Sequence, residues 1–323
     1  MTLLDKYLYG TGWWRVPRTL AAPLSLIYPT VSFLRYLASR PQRLPCYTIG
    51  IGNLTAGGTG KTPVAIALAN RFTQHGYRVG ILSRGYNGSY QAPFLQVTRQ
   101  TPWHLCGDEP LLMAHKTEAT VVVSRERIPG ARHLLQEGCQ LILLDDAFSN
   151  HKIHKDYEIL LEDFERPLGN GLAIPAGTLR EFSSTKSRAD IVMPTRVPND
   201  YSMERPGVHY HMLCTVKAGS TVNAYSALGN NQAFFAALEE QGYHIHRAVA
   251  LPDHSTPDAS QWDMLLRDQI PILTTEKDAI KLDPETLPQV SPVSLEVKLG
   301  GMDGPLRFIE EGIMKAINRG GAW

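Results

Sequence analysis

Between the apolar run Cys46-Tyr47-Thr48-Ile49-Gly50-Ile51 and a helical stretch from Lys61 to His75 lies Gly52-Asn53-Leu54-Thr55-Ala56-Gly57-Gly58-Thr59-Gly60-Lys61-Thr62. A buried strand, a glycine-rich turn and a helix start form a phosphate cradle. Backbone N–H groups turn inward at the glycines, and the positive end of the helix dipole faces the anion. The general pattern G-x-x-x-x-G-K-[ST] ends here in Gly60-Lys61-Thr62, with Thr55 at the first glycine position. Thr55, Ala56, Gly57, Gly58, Thr59 and Gly60 are expected to wrap the phosphates of ATP. Lys61 would reach the β- and γ-phosphates, and Thr62 would ligate Mg2+.

The surrounding pattern fits such a loop. In the Lys61–His75 stretch Val64, Leu68 and Phe72 recur every four residues and mark one apolar helix face. Short apolar runs at Val79–Leu82, Val121–Val123, Leu141–Leu144, Ile159–Leu161 and Ile191–Met193 alternate with helical stretches such as Arg132–Glu137. That alternation predicts an α/β fold with a parallel sheet covered by helices on both faces. Pro194 to Gly207 is rich in turn residues and marks a boundary. Beyond it, a helix over Asn231–Gly242, strands over Ile245–Val249 and Ile270–Thr274, and a helix over Phe308–Ile317 predict a second, smaller α/β unit. The expected division is an arm at 1–44, a nucleotide-binding domain at 45–200 and a smaller domain at 201–323.

The arm stands apart by charge. Lys plus Arg number 32 and Asp plus Glu 31, a net charge of +1, yet residues 1–45 hold six basic side chains against Asp5 alone. Its uncharged stretch from Thr19 to Leu34 contains Pro23 and Pro29 and is too short to cross a bilayer. Trp13, Trp14, Tyr28, Phe33 and Tyr36 interleave with Arg15, Arg18, Arg35 and Arg40. Such a mixture suits the headgroup layer of a membrane surface, and equally a helix packed on the body. The rest is mildly acidic, and the overall balance gives no call for nucleic acid. Cys46, Cys106, Cys139 and Cys214 form no C-x-x-C pair, so a reducing compartment is expected.

Further clusters carry chemistry. Asp145-Asp146 ends an apolar strand, where a phosphate-loop protein places its metal-binding aspartate; the bland alternative is a turn cap. Asp108-Glu109, after Gly107 and before Pro110, pairs two carboxylates that either meet a cation or acceptor or simply begin a helix. Asp253-His254 lies in the second unit, and a lone histidine is more often structural. Arg180-Glu181, in Ile174-Pro175-Ala176-Gly177-Thr178-Leu179-Arg180-Glu181, could bind phosphate or form a surface pair.

Taken in order, these motifs resemble the tetraacyldisaccharide 4'-kinase family over nearly the whole chain. The likeness includes Gly52 to Pro63, Ser83-Arg84-Gly85-Tyr86, Gly107-Asp108-Glu109-Pro110, Asp145-Asp146, Ile174 to Glu181, Asp253-His254 and Thr274-Thr275-Glu276-Lys277-Asp278-Ala279. Where that family usually has Asp-Asp-Gly-Phe-Gln-His, this chain has Ala147, Ser149 and Asn150 after the aspartates. Thr178 replaces a usual proline, and Gly229-Asn230-Asn231 a usual Gly-Asn-Pro.

The resemblance implies ATP-dependent phosphorylation of the 4'-hydroxyl of a tetraacylated glucosamine disaccharide 1-phosphate, at the cytoplasmic face of the bacterial inner membrane. It implies Asp108 as proton acceptor with His254 as its partner and Lys61 on the phosphates. Thr62, Glu109, Asp145 and Asp146 form the metal set, and Arg84, Arg180 and Glu181 face substrate. The expected partners are the acylated lipid and, through the arm, the membrane, with no nucleic acid and no obligate protein partner. The competing expectation is a membrane-recruited phosphate-loop ATPase switch without an acceptor.

Overall fold

The computed structural model describes residues 3–282 and 290–319, so the ends of the expected arm and C-terminal unit lie partly outside it. The arm comprises α1 (Leu3–Tyr9), α2 (Arg15–Ala21) and α3 (Ile27–Ala38). The first half continues with β1 (Tyr47–Gly52), α4 (Lys61–Gln74), β2 (Val79–Ser83), β3 (Leu95–Val97), α5 (Trp103–Cys106), α6 (Asp108–Lys116), β4 (Thr120–Val123) and α7 (Ile128–Gln136). It closes with β5 (Leu141–Asp145), β6 (Tyr157–Asp163) and β7 (Ile191–Thr195). The second half contains β8 (Gly207–Leu213), β9 (Thr221–Ser226), α8 (Asn231–Glu240), β10 (His244–Ala250) and α9 (Ala259–Leu266). It ends with β11 (Ile272–Thr275), α10 (Glu276–Ala279), β12 (Val290–Gly300) and α11 (Asp303–Arg319).

The strands form one sheet in the order β10-β9-β11-β12-β8-β7-β6-β1-β5-β2-β4-β3. Its first half is parallel except where β3 meets β4. β1 lies between β5 and β6, so the loop leaving it enters the crevice at the strands' carboxyl ends, where an open sheet binds ligands. All six positions of β1 and all five of β5 are buried, as expected of strands covered on both faces. Val64, Leu68 and Phe72 of α4 are fully buried against this sheet, each worth roughly 1.5–3 kcal/mol of apolar burial.

The expected boundary near residue 200 falls in the loop between β7 and β8, and the sheet continues across it. The halves meet where Thr195 of β7 pairs with Val208 of β8 in parallel, and within the second half β12 bridges β11 and β8: Thr275 of β11 pairs with Val293 in parallel, and Leu213 of β8 pairs with Ser294 antiparallel. The chain then returns. Leu306, Ile309 and Ile313 of α11 belong to the same core as Ile49 and Phe72. Gly312 permits this close approach, because a Cβ there would lie 2.3 Å from the Tyr47 ring.

The arm docks by a few specific contacts. Tyr7 donates to the Pro175 carbonyl at 3.1 Å, and the Ala176 N–H donates to Ser25 Oγ at 3.0 Å. Arg18 donates to the Leu8 carbonyl at 2.7 Å, at the C-terminus of α1. The rest faces outward: Trp13 is 79% exposed and Leu20 75%, with Leu24, Leu26, Ile27, Leu34 and Leu37 also exposed. Among the described residues no helix is long and apolar enough to cross a membrane.

Candidate active site

The phosphate loop is held from outside itself. Asn53 is fully buried, and its amide donates to the Thr55 carbonyl at 2.7 Å. Its Oδ1 accepts from Lys61 Nζ at 3.2 Å and from Arg180. Segment 173–180 runs alongside: the Ala56 N–H donates to the Thr178 carbonyl at 2.6 Å, and the Arg180 N–H to the Leu54 carbonyl at 2.8 Å. Arg196, beyond β7, donates to the Gly58 carbonyl. Gly60 has φ +76°, and a Cβ there would lie 2.0 Å from the Tyr210 hydroxyl, so both conformation and space demand glycine. Gly57 and Gly58 face open space, and Thr59 Oγ1 is buried with no hydrogen-bond partner among the described residues.

The two aspartates after β5 diverge. Asp145 is buried: its Oδ2 accepts from Ser83 at 2.9 Å, while its Oδ1 is buried without a hydrogen-bond partner among the described residues. Burial, with the neighbouring Glu109 and Asp146 carboxylates, pushes Asp145 up to about 6. Asp146 turns to the cations instead, 3.5 Å from Lys61 and 3.1 Å from Arg180. Those charges outweigh its burial and hold its carboxyl well below the usual range. Arg127 is fully buried behind the pair, donating to the Leu82 carbonyl at 2.9 Å; burial lowers its affinity for its proton, against the pull of Asp145.

Glu109, in the first turn of α6, accepts from Thr62 Oγ1 at 3.1 Å. Thr62, Glu109 and the unpartnered oxygen of Asp145 present only oxygen donors. Magnesium takes such donors, usually one or two carboxylates completed by substrate phosphates. Among the described residues no group of three or more His, Cys, Asp or Glu side chains forms a self-sufficient cage. The residues therefore fit a cation that arrives with nucleotide.

The second half closes onto this edge. Asp108 is 3% exposed, and its Oδ2 lies 2.8 Å from His254 Nδ1. His254 has φ +64°, and its backbone N–H is fixed by the Ala227 carbonyl at 3.2 Å. Burial favours the protonated Asp108, but the His254 hydrogen bond and the Lys277 and Lys281 ammonium groups together win and lower its pKa. The Asp108 hydrogen bond raises that of His254.

Of the residues expected to face substrate, Arg180 lies at the loop, bridging Asn53 and Asp146. Glu181 points elsewhere: it is buried, accepts from Arg188 at 2.6 Å and lies 4.0 Å from His151. Arg188 is stacked between the rings of Tyr36, from the arm, and Phe148. Burial and Arg188 push His151 down to about 4. Arg84 is exposed, and its side chain makes no hydrogen bond or ion pair with the described residues. Sequence reasoning missed Asn53 and Arg196 as supports of the loop, and Ser83 and Arg127 as supports of Asp145. Asn53 and Ser83 lie within quoted motifs; Arg127 and Arg196 carry no local signal beyond being arginines after strands.

A phosphate loop, oxygen donors beside it and a buried aspartate met by a histidine from the opposite half define a phosphate-loop phosphotransferase. The family profile described as "Tetraacyldisaccharide-1-P 4'-kinase" matches residues 17–311. The tetraacyldisaccharide 4'-kinase of Haemophilus influenzae is 37% identical over 276 residues, covering 81% of this chain and 83% of that protein. The enzyme of the same name from Mannheimia succiniciproducens is 33% identical, covering 97% of this chain and 99% of its own length. The crystal structure of LpxK from Aquifex aeolicus in complex with ATP superposes with a TM-score of 0.73 at 28% identity, over 92% of this chain and 99% of that one. The chain belongs to the tetraacyldisaccharide 4'-kinase family and is an ATP-dependent kinase.

Proposed function

We propose that the protein moves the terminal phosphoryl group of ATP onto the 4'-hydroxyl of a tetraacylated glucosamine disaccharide 1-phosphate lying at a membrane surface. The observation that carries this is the 2.8 Å contact between Asp108 and His254 beside the phosphate loop. A nucleotide switch needs the loop and Asp145 but has no use for a buried base paired with a histidine reaching in from the second half.

Lys61 and the loop amides hold the β- and γ-phosphates. Thr62, Glu109 and Asp145 would hold magnesium, which spreads the negative charge of the phosphates; Asp146 positions Lys61 and Arg180. Asp108 accepts the proton as the sugar oxygen bonds to the γ-phosphorus and the bond from that phosphorus to the β–γ bridging oxygen breaks, leaving ADP. His254 holds Asp108 in place and keeps it ionised. The arm rests in the headgroup layer, its exposed Trp13 and Leu20 toward the acyl chains and its arginines toward phosphates. The presence of ATP in the Aquifex aeolicus structure supports the nucleotide. The names of the relatives support the acceptor.

Incubation with labelled ATP and the acylated disaccharide, followed by mass analysis, tests the proposal. The expected product is the disaccharide plus one phosphate, with ATP turnover dependent on the acceptor. Equal hydrolysis without acceptor would leave the switch ahead. Asp108→Ala is expected to lower turnover by roughly 10²–10⁴-fold while leaving ATP binding intact; near-normal turnover would remove Asp108 as base.

A further inference from the structure

The string Thr274 to Ala279 has no assigned chemistry, yet the structure gives each polar member a place. Thr274 Oγ1 donates to the Tyr225 carbonyl at 2.9 Å, and Thr275 caps α10 by accepting from the Asp278 N–H. Asp278 is buried and accepts from the Ala227 N–H at 3.0 Å. Lys281, fully buried, is held by Asp278 at 2.8 Å and the Ser255 carbonyl at 2.9 Å. Glu276 pairs with Lys116 of α6. Lys277 differs. Its ammonium lies 3.2 Å from Glu109, 3.4 Å from Asp253 and 3.8 Å from Asp108, three carboxylates drawn from both halves.

The geometry points to Lys277 as a further catalytic residue, a second ammonium that bonds the transferring phosphoryl group from the side opposite Lys61. Asp108 and Glu109 define where that group passes: the first receives the acceptor's proton, and the second is joined to Thr62 of the phosphate loop. Lys277 sits within 4 Å of both. Lys61 is tethered on the other flank by Asn53 and Asp146. Negative charge spreads over the phosphoryl oxygens at the transition state, and a cation already placed there stabilises it without reorganisation. Burial works against the ammonium's charge, but the Glu109, Asp108 and Asp253 carboxylates outweigh it and hold the proton on. This assignment depends on the kinase reading above.

Binding of ADP with Mg2+, with and without aluminium fluoride as a mimic of the transferring group, tests it on the full chain. The variants are Lys277→Ala, Lys277→Gln and Lys277→Arg. Wild type is expected to bind tighter when fluoride is present. Lys277→Ala and Lys277→Gln are expected to keep ADP affinity within about twofold and lose at least ~10-fold of that tightening, with Lys277→Arg recovering part of it. In turnover, kcat should fall with KM for ATP little changed. Retention of the full tightening in Lys277→Gln overturns the assignment, as does a parallel loss of ADP affinity and melting temperature in all three variants. Wild type that yields no phosphorylated glycolipid refutes the kinase reading instead, an outcome the mass analysis reports separately.

Discussion

Single side chains here act through their neighbours' charge. The pairing of Asp108 with His254 has a defined pH window. The histidine's pKa is raised above 6.5, so its contribution is full below that value and fades as pH rises through the folded pKa. The pKa of Asp108 is lowered below 3.8, so its contribution is present above that value and is lost as pH falls through the folded pKa. The contact between the halves is therefore firmest between those limits. Replacing Asp108 by Asn removes the first cause of the histidine's shift. Proton NMR of the His254 ring is expected to show its midpoint falling toward or below 6.5; an unmoved midpoint would contradict the pairing.

The loop that carries Lys61 and Thr62 was legible because strand end, glycine-rich turn and helix start are written within eleven consecutive residues, Gly52 to Thr62. Asp108 and His254 stand 146 positions apart, and only the family resemblance joined them. Arg127 and Lys277 gave no sign of their functions, since the carboxylates and carbonyls they serve come from other elements.

At the scale of elements, legibility followed burial. β1, β2, β4 and β5 read as strands because both faces are covered and their residues are apolar throughout. β12 was missed although Val293, Leu295, Val297 and Leu299 alternate with Ser294, Glu296 and Lys298: Pro292 interrupts it, and few of its eleven residues are buried. Its position as an exposed link between parallel and antiparallel neighbours explains that composition. The arm posed a choice between packing and display, and the structure has both: Ser25 and Tyr7 dock it while Leu20 and Leu24 face out. A double change, Leu20→Asp with Leu24→Asp, removes apolar surface from the outer face only. Co-sedimentation with anionic phospholipid vesicles is expected to drop several-fold while ATP binding persists. Unchanged vesicle binding would move the lipid contact elsewhere.

At the scale of the molecule, the alternation of apolar and helical runs indicated two α/β units with a boundary in the turn-rich Pro194–Gly207, and the strands on either side of it belong to one continuous sheet. The return of α11 to the first core has no signature in the sequence, because an amphipathic helix does not say which sheet it will cover. Ile313 is fully buried there. Ile313→Asp places an unpaired carboxylate among Ile49, Phe72 and their neighbours. It is expected to destabilise the fold by more than about 4 kcal/mol in urea titration and to abolish nucleotide binding, although the loop is elsewhere.

The same helix has a consequence for how the chain comes to life. A ribosome that has translated as far as Thr195 has emitted every strand around the phosphate loop but none of Leu306, Ile309 or Ile313. Until the last stretch leaves the exit tunnel, the groove beside Tyr47 stays open and greasy. Whatever the first half collapses into before then does so with that apolar face uncovered, the kind of surface that invites misassembly.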